Sequence, residues 1–134
     1  MAEAYLNKLL QKQQRTDIQV SSAGVMAIAG IGASLETREV LAREGMDVEA
    51  HRSQRVTQEL LDQSDIILVM EDIHEDKILQ LAPEVKNRLF LLKEFAKIND
   101  SNLNIADPIG GSFEFYKEIF SVIKDAVERI SKTI

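Results

Sequence analysis

The residues of this sequence whose types could do chemistry are an aspartate, a serine and two histidines. Asp107-Pro108-Ile109-Gly110-Gly111-Ser112 sets a carboxylate against a proline that fixes the adjoining backbone and glycines that let the chain turn tightly. A carboxylate mounted in that way can be an aimed general acid or base. The same residues also describe a plain loop that ends in a helix cap. Ser22 follows the alternating segment Ile18-Gln19-Val20. At the end of a strand it would stand where open parallel sheets bind ligands, or it is a turn serine bonded to its own backbone. His51 and His74 are the only histidines. Glu71 and His74 form a lone i, i+3 pair and His51 has no near partner in sequence, so no metal site is expected. His74 reads as a solvated helix residue. His51, within Glu49-Ala50-His51-Arg52-Ser53, reads as a loop histidine that holds another loop. Gly30 and Gly32 lack the third glycine and the helix of a dinucleotide fingerprint, and Glu71-Asp72 with Glu75-Asp76 reads as a solvated helix face. No cofactor is implied.

Composition narrows the classes. The chain has 134 residues, 45% hydrophobic and 28% charged, which suits one domain over residues 1–134 with a core that needs no disulfides. Sixteen Lys and Arg against 22 Asp and Glu leave a net charge of −6, which argues against nucleic acid or an anionic membrane as the main partner. No apolar run approaches the roughly 18 residues of a membrane span. Met1-Ala2-Glu3-Ala4 has neither the basic nor the apolar region of a signal peptide, so the expected location is cytoplasmic. With no cysteine, thiol nucleophiles, thiolate zinc sites and iron–sulfur ligands are excluded within these residues.

The elements that must position the candidate residues alternate between helix and strand. Residues 1–15 carry Ala2, Tyr5, Leu6, Leu9 and Leu10 at helical spacing, so the chain opens inside a helix with no capping segment before it. Ile18-Gln19-Val20 predicts a short strand, and residues 24–34 a glycine-bearing loop. Ser34 caps a helix over 35–44 closed by Gly45, and Thr57 caps a short helix through Leu60 and Leu61. Ile66-Ile67-Leu68-Val69-Met70 is an unbroken apolar run, as in a strand buried on both faces of a parallel sheet. A helix over Asp72 to Leu81 ends near Pro83, and Leu89-Phe90-Leu91-Leu92 predicts another buried strand. Residues 97–106 are polar loop. Tyr116, Ile119, Phe120, Ile123, Ala126, Val127, Ile130 and Ile134 then hold one face of a long helix. The pattern predicts an α/β fold with a parallel sheet.

Taken in order, these pieces resemble one family, the low-molecular-weight protein tyrosine phosphatases, including the bacterial protein arginine phosphatases. The matching stretches are Met1-Ala2-Glu3-Ala4, Ser22-Ala23-Gly24-Val25, Glu44-Gly45, His51-Arg52-Ser53, Leu60-Leu61, Asp65 through Met70, Leu92-Lys93-Glu94-Phe95, and Asp107 through Ser112 with Tyr116. The resemblance implies a three-layer α/β/α fold and hydrolysis of a phosphorylated protein through a cysteinyl-phosphate, with no cofactor or metal. Asp107 would be the general acid and base. Ser22 and His51 would hold the phosphate-binding loop through hydrogen bonds. Pro108 and Ile109 would position the acid loop and shape specificity, and Glu71 falls where relatives carry an acid near that histidine. Ile109 and Gly110 stand where eukaryotic relatives usually carry a tyrosine pair, which resembles the arginine-phosphatase branch and leaves phosphotyrosine and phosphoarginine both open.

In that family Met-Ala-Glu follows directly on the first strand and a Cys-x5-Arg phosphate loop. The resemblance therefore implies that this sequence begins after the first, central strand and lacks the nucleophile. The expectation is that the chain alone is inactive, and is unstable, aggregates or dimerises by exchanging elements. Two accounts compete: an ordinary phosphatase whose start lies upstream, or a cysteine-free pseudophosphatase that acts as a binding module. A response-regulator-like domain is a third reading. Glu71-Asp72 and Lys93 would be its acidic pair and lysine, but it has no matching first strand.

Overall fold

A computed structural model describes residues 1–134. Its elements run α1 (Ala2–Lys12), α2 (Leu35–Arg43), α3 (Gln58–Asp62), β1 (Ile67–Val69), α4 (Asp72–Leu81), a 3-10 helix (Pro83–Arg88), β2 (Leu89–Leu91), α5 (Leu92–Phe95) and α6 (Phe113–Ser131). Side-chain caps start three of the helices where expected. Ser34 accepts from Thr37 N–H at 3.2 Å, Thr57 from Leu60 N–H at 3.1 Å, and Ser112 from Phe115 N–H at 3.1 Å. Gly45, at φ 76°, closes α2, with Met46 N–H reaching back to Leu41 O at 2.9 Å. Helix α1 stops at Lys12, short of the expected residue 15. Gln14 turns left-handed at φ 58°, and Arg15 N–H bonds to Leu10 O at 2.9 Å. This is the same ending without the glycine that would advertise it.

Strands β1 and β2 pair in parallel, with Ile67 opposite Leu89, Leu68 opposite Phe90 and Val69 opposite Leu91. Alternation sends their side chains to two layers. Ile67, Val69, Leu89 and Leu91 pack with Leu61, Ile78, Ala82 and Val85 on one face. Leu68 and Met70 meet the larger core of Tyr5, Leu41, Phe120, Val127 and Ile130 on the other. Helices therefore cover both faces of the sheet, the α/β arrangement expected.

Two strand expectations need correction. Leu92 does not extend β2; it opens α5. Ile18-Gln19-Val20 is not a strand, because alternation alone makes no ladder and no described residue pairs with it. The backbone groups of residues 18–21 make no backbone hydrogen bond at all, although Ile18 and Val20 are half-buried.

Helix α6 buries Tyr116, Ile119, Phe120, Ile123, Ala126, Val127 and Ile130, and α1 lies against it. The large apolar side chains among them contribute about 1.5–3 kcal/mol each. Polar ties fix the pairing. Tyr5 Oη donates to Glu128 Oε1 at 2.6 Å, and its ring meets Phe120 edge-on at 5.7 Å. Gln13 Nε2 donates to Ser131 Oγ at 3.4 Å, and Arg15 Nη1 to Ile134 O at 2.7 Å. Lys124 reaches both carboxylate oxygens of Glu44 at 3.2 Å, and Lys8 donates to the Glu44 carbonyl. Burial, the Glu128 bond and the nearby carboxylates push the Tyr5 phenol up to about 12.

The polar loop between α5 and α6 is held from within. Lys93 is buried, and its ammonium donates to Asp100 Oδ2 at 2.9 Å and Asn102 O at 3.0 Å. Side chains then step along the loop. Asp100 accepts from Asn102 N–H at 3.1 Å, Asn102 from Asn104 N–H at 3.0 Å, and Asn104 from Asp72 N–H, at the start of α4, at 2.9 Å. Ile105 N–H finally bonds to Met70 O at 2.8 Å, just beyond β1. The bond from Lys93 holds the Asp100 carboxyl below its usual range.

Replacing Lys93 by Met is expected to cost about 1–3 kcal/mol in urea denaturation, and to speed amide exchange at Asn102, Asn104 and Ile105. Asp100 contributes stability above its ordinary value of 3.8 that is lost as pH falls through its depressed pKa; that part of the acid limb should shrink in Lys93→Met, the backbone bonds from Asn102 and Ser101 keeping the rest. Tyr5 works in the opposite direction. Its contribution is full below the ordinary value of 10.0 and falls as pH rises toward about 12, because the unfolded phenol ionises first. Tyr5→Phe should remove that alkaline decline, and titration at 295 nm should lose a step at about 12.

Candidate active site

The loop that carries Asp107 is built by its own residues. Asp107 Oδ1 accepts from Ile109 N–H at 3.0 Å, which leaves Oδ2 without a partner. Pro108 is buried, and its carbonyl accepts from Gly111 N–H at 2.8 Å. That turn needs Gly110 at φ 77°, where other side chains are strained. A Cβ at Gly111 would lie 2.7 Å from Cδ2 of the Phe115 ring and 2.9 Å from Pro108 O, so this position must also be glycine. The carboxylate and Ile109, 78% exposed, stand outside while Pro108 anchors the loop.

Asp107, Pro108 and Ile109 line a cavity of about 330 Å³ together with Met1, Ala2 and His74. The first turn of α1 thus forms one wall. Its leading N–H groups, on Ala2, Glu3 and Ala4, have no partner in the structure. Such an end attracts anions through unpaired donors and the helix dipole.

Ser22 and His51 come together, although neither sits in this cavity. Both meet the Glu3 carboxylate: Ser22 Oγ donates to Glu3 Oε2, and His51 Nδ1 lies 3.9 Å from the same oxygen. Gln54 Nε2 adds a bond to the Ser22 carbonyl at 2.9 Å. Helix α1 is therefore the hinge of the site, with Ala2 facing the Asp107 cavity and Glu3 holding the serine–histidine pair.

Two histidine readings change. His74 is not a solvated helix residue. It is half-buried in the wall of the cavity, and its Nδ1 accepts from Glu71 N–H at 3.3 Å, so the ring caps its own helix. The carboxylate beside His51 is that of Glu3, not Glu71, which lines the cavity with His74. Glu3 is the residue that sequence reasoning missed. An acid in a first helical turn is read as balancing the helix dipole, and nothing local shows that it reaches residues 22 and 51. No group of three or more His, Asp or Glu is arranged to hold a metal ion. No helix is long and apolar enough to cross a membrane.

Comparison with known proteins places the whole chain in one family. The family model described as "Low molecular weight phosphotyrosine protein phosphatase" matches residues 1–134. A protein-arginine-phosphatase of Geobacillus stearothermophilus is 34% identical over 126 residues, covering 94% of this chain and 83% of that protein. A probable low molecular weight protein-tyrosine-phosphatase, EpsP, of Ralstonia nicotianae is 30% identical over 128 residues, covering 96% and 81%. The crystal structure of a low molecular weight protein tyrosine phosphatase from T. tengcongensis superposes with a TM-score of 0.91 at 29% identity, covering 99% of this chain and 88% of that one. With the family model matching every residue and a relative at 34% identity covered to 83% of its length, the chain belongs to the low-molecular-weight phosphotyrosine protein phosphatase family.

Proposed function

We propose that this site hydrolyses a phosphorylated protein side chain, phosphotyrosine or phosphoarginine, with Asp107 as general acid and then general base. The observation that carries the reading is the cavity that Asp107 shares with the open end of α1. The transferring phosphoryl group would lie against the leading N–H groups of α1, which stabilise its charge. A thiolate attacks phosphorus in line, so that an S–P bond forms as the P–O or P–N bond to the substrate breaks. Asp107 delivers its proton to the departing atom. It then takes a proton from water as the water oxygen bonds to phosphorus and the S–P bond breaks, which regenerates the thiolate.

No residue of these 134 is a cysteine, so the thiolate comes from outside them. Ser22, His51 and Glu3 would support the loop that carries it, and none of the three needs to touch substrate. Pro108 sets the height of the acid, and the exposed side chain of Ile109 is the surface against which the substrate's own side chain would lie.

The 134-residue chain should show no turnover of p-nitrophenyl phosphate. The coding sequence upstream of Met1 should contain, in frame, an apolar strand followed by Cys-x5-Arg. Protein extended to include it should be active, and Asp107→Asn should lower its kcat about 10²–10⁴-fold with substrate binding kept. Unchanged turnover would remove Asp107 from the acid role, and an in-frame stop upstream would favour a cysteine-free binding module. A double-mutant cycle tests the support group. Glu3→Ala and Ser22→Ala should each destabilise the chain to urea, and together by less than their sum, with a coupling of about 0.5–1.5 kcal/mol.

A further inference from the structure

A second cavity, of about 250 Å³, is lined by Gly32, Ala33, Arg38, Glu49 and Arg52. It adjoins the first through the start of α2. Ser34 and Thr37 line the Asp107 cavity, and Gly32, Ala33 and Arg38 line this one.

The two arginines differ in how they are held. Arg52 is set in place by main chain: its Nη1 donates to the carbonyl oxygens of Glu49 and His51, each at 2.7 Å. Gly32 pairs with Arg52 as an isolated antiparallel bridge, and a Cβ at Gly32 would lie 3.4 Å from Nη1. Ser53 locks the same loop, donating to Ile28 O at 2.6 Å and accepting from Ile31 N–H at 3.1 Å. The rest of the Arg52 guanidinium, Nε and Nη2, has no partner. Arg38 makes no side-chain hydrogen bond and no ion pair, and Glu49 pairs with neither arginine. In a chain of net charge −6, two unneutralised guanidiniums thus share one cavity.

A guanidinium pinned by carbonyls has already lost most of its rotamer freedom, so an anion that binds it pays little more for order. The fork of Nε and Nη2 matches a carboxylate. We propose that this cavity holds an acidic side chain of the protein substrate, a carboxylate near the phosphorylated residue, clamped between Arg52 and Arg38. The assignment of that peptide as substrate rests on the function proposed for the Asp107 cavity. Glu49 in the wall and the chain's net charge of −6 favour a single carboxylate over a polyanion such as nucleic acid.

The test is fluorescence anisotropy of the 134-residue chain with a labelled, unphosphorylated Glu-rich peptide, against the same peptide with Gln in place of Glu. The peptide carries no phosphoryl group, so the result is independent of the Asp107 assay. The acidic peptide should bind, the Gln peptide should not, and added salt should weaken binding. Arg38→Ala and Arg52→Ala should each weaken it about tenfold, and Lys86→Ala, an exposed cation outside the cavity, should leave it unchanged. The Arg38 side chain makes no hydrogen bond or ion pair within the fold, so its variant reads binding even if Arg52→Ala disturbs the loop. Equal binding of the two peptides, or an Arg38→Ala chain that binds like Lys86→Ala, overturns the proposal.

Discussion

The position of the acid depends on one buried ammonium. Lys93 leaves a short helix at the end of β2 and spends its charge on Asp100 and the Asn102 carbonyl. From there each polar side chain bonds to the backbone two residues on, until the chain is tied to the starts of α4 and the end of β1. Asp107 lies two residues beyond Ile105, the last of these ties. A buried lysine is costly unless paired, and here the pairing is what turns a run of Asn, Asp and Ser into a fixed arm. The acid loop itself adds only local devices: a proline underneath, two glycines in the turn and a serine that starts α6.

The other half of the site is held by a different mechanism. Helix α1 brings its open end to the cavity because its apolar face packs on α6, and Tyr5, Gln13 and Arg15 fix the pairing. Its second residue, Glu3, reaches sideways to Ser22 and His51. Beneath the cavity that they both line, the acid arm and the open end of α1 share the large core, to which Tyr116 and Ile105 contribute from one side and Tyr5 from the other.

Much of this is legible in the chain, and what is not has a common cause. Ser34, Thr57 and Ser112 announce helix starts because capping is local chemistry. The run 66–70 and the face of α6 are read from periodicity, and the Asp107 loop from its proline and glycines. Signals fail where the partner is distant or the residue is atypical. Gln14 and Lys97 take the left-handed turn that glycine would mark. Ile18-Gln19-Val20 has the alternation of a strand but no neighbour. Lys93 looks like any surface lysine until burial is known, and Glu3 like any first-turn acid. His74 reads as solvated because its bond to the helix start is visible only once the helix exists.

The separation of the two halves along the chain sets an order of assembly. The arm that carries Asp107 closes through contacts two to nine residues apart at Lys93 and within the loop, and about 32 to 35 apart at its ties to Asp72 and Met70. Docking α1 on α6 closes loops of 118 to 123 residues. On loop-closure entropy alone the second costs roughly 1 kcal/mol more than the longest closure of the first. Local contacts form early and distant ones late. On that ordering the carboxylate is mounted before the wall that faces it, and a half-folded chain carries Asp107 with no helix end opposite it.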